Sequence, residues 1–235
     1  MSKDSSKLDT ATPRKWGIGA IFMGAIAFVG SQIAVGTVAY SLLGDKLSTT
    51  EQFLVYGGAT LLTLVFLTQI LRLYKANFHH LGLNKFQAKF LLYLAAAFPV
   101  YLLLSGVITT AVTMLFPSLD LNQKQELGFS DAASPIQLVM VFISLVILPP
   151  FVEELLFRGL IFKGLLRYGT PVLAAIGTSV IFGAAHGQVN VGIDTFALSL
   201  VLCFLAYKTE SLWPSILLHA TKNSIAFLLV FVIHH

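Results

Sequence analysis

The chain has 235 residues, of which 56% are hydrophobic and only 11% are charged, and its mean hydropathy is +0.82. A soluble domain carries about a quarter charged residues, so this composition excludes an ordinary soluble protein and indicates an integral membrane protein. The formal charge of +4 does not indicate a nucleic-acid partner, because the basic residues are scattered between apolar runs. The single cysteine, Cys203, excludes an internal disulfide and a zinc motif built on cysteines.

Apolar runs long enough to cross a bilayer recur along the chain and predict an all-α, polytopic membrane helix bundle of about seven transmembrane spans. The first run is longer than the core of a cleavable signal peptide, so we expect a retained first span. Span four is expected to be one long tilted helix that is kinked at Pro149-Pro150. The predicted spans cover residues 17–43, 53–73, 90–116, 135–168, 171–187, 191–207 and 214–233.

Lysines and arginines are concentrated in alternate loops. The loops 1–15, 72–89, 163–170 and 208–210 contain Lys3, Lys7, Arg14, Lys15, Arg72, Lys75, Lys85, Lys89, Lys163, Arg167 and Lys208, whereas the other loops contain only Lys46 and Lys124. Such residues concentrate on the cytoplasmic side of membrane proteins. The pattern therefore predicts a multi-pass protein of the cell membrane with a cytoplasmic N-terminus and an external C-terminus.

Two adjacent carboxylates and an arginine stand in an apolar stretch, at Glu153, Glu154 and Arg158. Ionisable groups within a membrane are costly and usually mark a functional site. Residues four apart share one face of a helix, so Glu154 and Arg158 are expected to form an internal ion pair while Glu153 points elsewhere. The alternative interpretation is that both acids belong to a structural charge network near a helix end.

Two further pairs have the same four-residue spacing, Phe182 with His186 and His219 with Asn223. A lone histidine in a membrane span is more often a hydrogen-bonding residue between helices than a catalyst. Two histidines together with two glutamates are more indicative of chemistry. A Glu and a His can hold one water, with the Glu as general base, while a second His and an Asn donate hydrogen bonds to the developing oxyanion.

The sequence contains neither the nucleophile elbow Gly-x-Ser-x-Gly nor the zinc motif His-Glu-x-x-His. A divalent metal such as zinc, held by Glu153, His186 and His219, remains chemically sensible, because carboxylate and imidazole are ordinary zinc ligands. No cofactor follows with certainty from the residues.

Three motifs follow one another in the order Glu-Glu-x-x-x-Arg, Phe-x-x-x-His and His-x-x-x-Asn. Their residues are Glu153, Glu154, Arg158, Phe182, His186, His219 and Asn223. This order resembles the CPBP family of intramembrane proteases, which includes the type II CAAX prenyl endopeptidases. The segment 208–216 also resembles bacterial members, in which a glycine is expected where this chain has Glu210. The resemblance implies a catalytic core of about four spans in residues 135–235, preceded by spans one to three in residues 1–134.

By this resemblance, Glu153 is the general base, His186 helps to hold the water, and His219 with Asn223 forms the oxyanion hole. Glu154, Arg158 and Phe182 would support them. The implied partners are the lipid bilayer and a membrane-associated peptide or protein substrate. A glutamate-dependent hydrolase is favoured over a metalloprotease.

Two other functions stay open at this stage. One is a non-catalytic membrane scaffold or bacteriocin-immunity protein, against which the complete set of motif residues argues. The other is a proton-coupled transporter, because Glu, His and Arg within spans can relay protons. The lack of repeated halves with matching broken helices argues against it.

Overall fold

The computed structural model describes residues 16–121, 123, 128–129 and 132–233. Within these residues the secondary structure is helical and contains no strand. The helices are α1 (Ile18–Leu43), α2 (Thr49–Leu73), α3 (Phe78–Leu81), α4 (Phe90–Leu115), α5 (Pro135–Leu165), α6 (Pro171–Ala184), α7 (Val189–Thr209) and α8 (Trp213–Ile233).

Six of these helices are long and apolar enough to cross a bilayer, and α6 is a shorter apolar helix. With 14 residues and a rise of about 1.5 Å per residue, α6 extends for about 21 Å. Large hydrophobic side chains face outward along the spans, for example Phe22, Leu42 and Leu103. The predicted all-α polytopic bundle is confirmed, with each predicted span corresponding to one helix.

The helix α5 is continuous over 31 residues. Ser134 caps its N-terminus through the backbone of Gln137, and Pro135 occupies the first turn. Two stretches of the helix are π-helical, Ile143–Ile147 and Glu154–Phe162. The prediction of one long helix through Pro149-Pro150 was therefore right, although the helix ends at Leu165 rather than at residue 168 and widens into π turns on both sides of the prolines.

The predicted basic loops lie at one end of the bundle. Lys163 Nζ donates to the His80 carbonyl at 3.2 Å, and Asn84 Nδ2 donates to the Glu210 carbonyl at 2.9 Å. Trp16, which follows the basic residues 1–15, donates its indole N–H to the Leu160 carbonyl. Residues 1–15 and Lys124 themselves lie outside the described part of the chain. The alternation of basic loops requires that these loops lie together at one end of the bundle. The orientation of the bundle in the membrane stays a prediction.

Close helix packing places the centre of α5 inside the bundle. Leu155, Leu156 and Leu160 are fully buried within a hydrophobic cluster that also contains residues of α1 and α2. A Cβ atom on Gly24 would lie 2.7 Å from Leu160 Cδ2, so α1 approaches α5 where it carries no side chain. The acids at positions 153 and 154 are thereby held between helices, 12 and 11 residues before the end of α5 at Leu165.

Candidate active site

The two adjacent glutamates point in different directions, as their helical spacing predicted. The Glu154 side chain is fully buried, and its Oε1 atom accepts a 3.0 Å hydrogen bond from Arg158 Nη1. The Glu153 side chain is 13% exposed and lines a cavity. The i,i+4 ion pair forms even though this part of the helix is π-helical. The two acids therefore occupy different environments.

Arg158 is buried with little direct hydrogen bonding. Its Nε and Nη2 atoms have no hydrogen-bond partner within the described residues. The guanidinium carbon instead lies 4.3 Å from the ring centroid of Phe182. A cation over an aromatic face is stabilised by the ring quadrupole, more so away from water. Phe182 thus compensates part of the cost of burying this charge.

Phe182 contacts Arg158 and both histidines of the site. Its ring centroid lies 4.9 Å from that of His186 and 5.8 Å from that of His219, in both cases edge to face. It also packs edge to face against Phe157 at 4.7 Å. The sequence indicated Phe182 only as a helical neighbour of His186, because contacts with α5 and α8 depend on tertiary packing.

His186 is the second residue after the last residue of α6, Ala184. Its Nδ1 atom is 2.8 Å from the carbonyl oxygen of Phe182. In a continuing α-helix the backbone N–H of His186 would bond to that carbonyl, but here it donates to the carbonyl of Gly183. A carbonyl can only accept, so Nδ1 carries the hydrogen. In the neutral ring Nε2 is consequently the acceptor. The end of the helix thus determines which nitrogen of His186 can hold a water.

His219 contacts both glutamates from α8. Its Nδ1 atom lies 2.9 Å from Glu154 Oε1, and its Nε2 atom lies 3.9 Å from Glu153 Oε2. The carboxylate at Nδ1 accepts a hydrogen from that nitrogen. Nε2 can then donate as well only when the ring carries both hydrogens. Glu154 therefore orients Arg158 and His219 with the same oxygen atom.

Asn223 lies one turn after His219, and its side chain is directed to the backbone of α5. Its Nδ2 atom donates a 2.9 Å hydrogen bond to the Leu145 carbonyl. Residues four and five positions after Leu145 are Pro149 and Pro150, which have no N–H for it in either an α or a π turn. This bond engages one of the two amide hydrogens of Asn223.

Glu153 and His186 line the same cavity of about 240 Å³. It lies between α1, α2, α5 and the end of α6, within the membrane-spanning part of the bundle. The other residues around it are Phe28, Gln32, Tyr56, Thr60, Thr63, Pro149, Val152 and Ala185. The cavity brings together two of the predicted residues that are 33 positions apart in the sequence, with polar groups on both sides.

The candidate metal ligands Glu153, His186 and His219 do not form a metal-binding group in this structure. Within the described residues, no three His, Cys, Asp or Glu side chains are close enough to hold one ion. Each histidine has its Nδ1 atom engaged, by Phe182 or by Glu154, so only Nε2 is available on either ring. In this structure the three side chains are therefore not arranged around one ion.

A second polar network was missed by the sequence reasoning. Asp194 of α7 accepts hydrogen bonds from Tyr101 Oη at 2.8 Å and Ser105 Oγ at 2.7 Å, both on α4. Its other oxygen lies 3.3 Å from Lys222 Nζ, next to Asn223 on α8. The sequence signal was an isolated aspartate in an apolar run, together with a lysine inside the last motif. This network joins three spans behind the candidate site.

Comparisons with known proteins match the region that contains the site. Residues 135–225 match the family model described as "Type II CAAX prenyl endopeptidase Rce1-like". A Bacillus subtilis (strain 168) protein named "Putative membrane peptidase YdiL" is 29% identical over 86 residues, which are 37% of this chain and 35% of that relative. The match thus spans about a third of the relative's length. No solved structure matches.

The helices and the buried ionisable groups define a polytopic, all-α membrane protein. The two matches support the similarity of residues 135–225 to the CPBP family of intramembrane proteases, and the resemblance predicted from the motifs is confirmed. The matched region contains all seven motif residues, from Glu153 to Asn223.

Proposed function

We propose that this protein is an intramembrane endopeptidase that uses Glu153 as a general base on a water held with His186. The observation that carries the proposal is that Glu153 and His186 line one cavity inside the bundle, with the Nδ1 atom of His186 bonded to Phe182. In this arrangement the Nε2 atom can accept a hydrogen of the water, and Glu153 can take the other. Glu153 is the more exposed of the two acids, and its side chain accepts no hydrogen bond within the described residues.

The proposed reaction is hydrolysis of a peptide bond without a covalent intermediate. Glu153 takes a proton from the water as its oxygen bonds to the carbonyl carbon, and the carbonyl oxygen becomes an oxyanion. When the C–N bond breaks, the proton on Glu153 passes to the departing nitrogen. The products are a carboxylic acid and an amine. Exclusion of bulk water by the surrounding helices strengthens each electrostatic contact in this step.

His219, in the form with a hydrogen on both ring nitrogens, and Asn223 are the proposed donors to the oxyanion. Support comes from the position of His219 Nε2 beside Glu153 and from the second amide hydrogen of Asn223. Glu154 is a positioning residue in this proposal, because it holds His219 through Nδ1 and is itself held by Arg158. The complete set of interactions also supports an enzyme over a scaffold, which would not need two different environments for adjacent glutamates.

Purified protein in detergent, incubated with a library of quenched-fluorescent peptides rich in Leu and Ala, tests this function. Wild-type protein is expected to cleave members of the library, and Glu153→Gln is expected to abolish cleavage. Glu210→Gln is the matched control, since it makes the same change at an exposed loop residue. Cleavage that persists in a chelator favours the glutamate mechanism. Cleavage that is lost in a chelator and restored by zinc contradicts it, and wild-type protein inert on every peptide favours the scaffold.

A further inference from the structure

The wall of the cavity opposite Glu153 and His186 is built by α1 and α2. It consists of Phe28 and Gln32 on α1 and of Tyr56, Thr60 and Thr63 on α2. The α2 residues have spacings of four and three, so they share one face of the helix. The family match begins at residue 135. This wall therefore comes from a different part of the chain than the motif residues.

Gln32 is a polar side chain in the middle of a membrane-spanning helix. The neighbouring Ser31 satisfies its hydroxyl on its own helix by donating to the Ala27 carbonyl at 2.6 Å, and Ser41 does the same with Thr37. The amide of Gln32 has no hydrogen-bond partner within the described residues, although it is exposed on the cavity wall. An unpaired amide in an apolar medium is costly. Its position is thus explained by a ligand better than by packing.

Thr60 shows the same contrast on α2. Thr63 donates its hydroxyl to the Ala59 carbonyl at 2.9 Å, and Thr68 donates to the Val65 carbonyl at 2.7 Å. The hydroxyl of Thr60 makes no such bond within the described residues, and it faces the cavity that contains Glu153. Two uncommitted polar groups, one on each helix, therefore stand opposite the proposed base.

We propose that Gln32 and Thr60 bind the main chain of an extended peptide segment across the cavity from Glu153. The inference rests on the proposed function. A helix keeps its carbonyls bonded internally, so a peptide bond that is to be hydrolysed inside the membrane must be unwound. Its freed N–H and C=O groups then need partners, and a glutamine amide offers both a donor and an acceptor. Phe28 and Val152, which line the same cavity, are suited to apolar side chains of the segment.

The test compares isosteric threonine changes on α2 and adds one change on α1. Thr60→Val removes the uncommitted hydroxyl, and Thr68→Val makes the same change at a hydroxyl that bonds its own helix and does not line the cavity. Gln32→Leu removes the amide. With the library peptide that wild-type protein cleaves fastest, Thr60→Val and Gln32→Leu are each expected to raise KM about two- to tenfold, the value of one hydrogen bond, with little change in kcat. Thr68→Val is expected to leave both constants unchanged.

A binding measurement separates this proposal from the proposed function. The same changes are made in the Glu153→Gln background, and fluorescence anisotropy of the labelled library peptides gives the Kd. One outcome is that wild-type protein binds the peptides without cleaving them and that only the Gln32 and Thr60 variants bind them more weakly. This outcome would support the peptide-binding role of Gln32 and Thr60 and reject the endopeptidase function. Normal cleavage with unchanged KM and Kd in both variants would overturn only the proposal that Gln32 and Thr60 bind the peptide. Peptides that neither bind nor are cleaved would overturn both.

Discussion

The side-chain amide of Asn223 donates a 2.9 Å hydrogen bond to the Leu145 carbonyl. This carbonyl belongs to the turn that Pro149 and Pro150 leave without N–H donors. A residue of the last motif thereby satisfies a backbone group that the prolines beside the acidic motif leave open. Asn223 consequently has a structural contact in addition to its proposed role at the oxyanion.

The two roles of Asn223 are separable. Asn223→Ala leaves a carbonyl without its donor, which typically costs about 1–3 kcal/mol, and removes an oxyanion donor, which typically costs about 10²–10³ in rate. Adding Pro149→Ala restores an N–H four residues after Leu145. The double variant should regain part of the thermal stability but none of the rate. Recovery of both together would show that Asn223 acts only through structure.

The Asp194 network should contribute to stability. Asp194→Ala removes the acceptor of Tyr101, Ser105 and Lys222 and should lower the free energy of unfolding by about 1–3 kcal/mol, since the ion pair itself is partly exposed and screened. Tyr101→Phe removes one of these hydrogen bonds and should have a smaller effect in the same direction. Thermal unfolding in detergent is the measurement. An unchanged unfolding temperature for Asp194→Ala would contradict the assignment.

The backbone at Glu210 should be strained. Its φ of 52° lies in the left-handed region, where a residue with a Cβ atom costs about 1–2 kcal/mol and where the family resemblance leads us to expect glycine. Glu210→Gly should therefore unfold at a higher temperature than Glu210→Ala, which loses the same carboxylate but keeps the strain. Equal unfolding temperatures for the two variants would argue that this turn carries no strain.

The membrane orientation is tested by reporter fusions. Alkaline phosphatase fused after the last span should be active in a bacterial host, because the C-terminus is predicted to be external. A fusion after Lys89, in a predicted cytoplasmic loop, should be inactive. The reverse pattern would reject the topology that we derived from the lysines and arginines.

The features set by local spacing were predictable from the sequence. The Glu154–Arg158 pair follows from the i,i+4 rule, and the continuity of α5 follows from the need to bring Glu153 to the depth of His186. The contact of His219 with Glu154 was not predictable, because it depends on how α8 packs against α5. The same holds for Gln32 and Thr60, whose spans carry no motif and whose relation to Glu153 exists only in the folded bundle.

The division of roles between Glu153 and Glu154 is the central claim, and paired substitutions test it most directly. Glu153→Gln keeps the size and shape of the side chain but cannot take a proton. Glu154→Gln leaves Arg158 buried without its charged partner, a change that typically costs about 3–5 kcal/mol. The measurement is cleavage of one peptide by each variant, alongside its thermal unfolding in detergent. We predict that Glu153→Gln is inactive and unfolds like the wild-type protein, whereas Glu154→Gln unfolds at a clearly lower temperature. A Glu153→Gln protein that still cleaves the peptide would contradict the account.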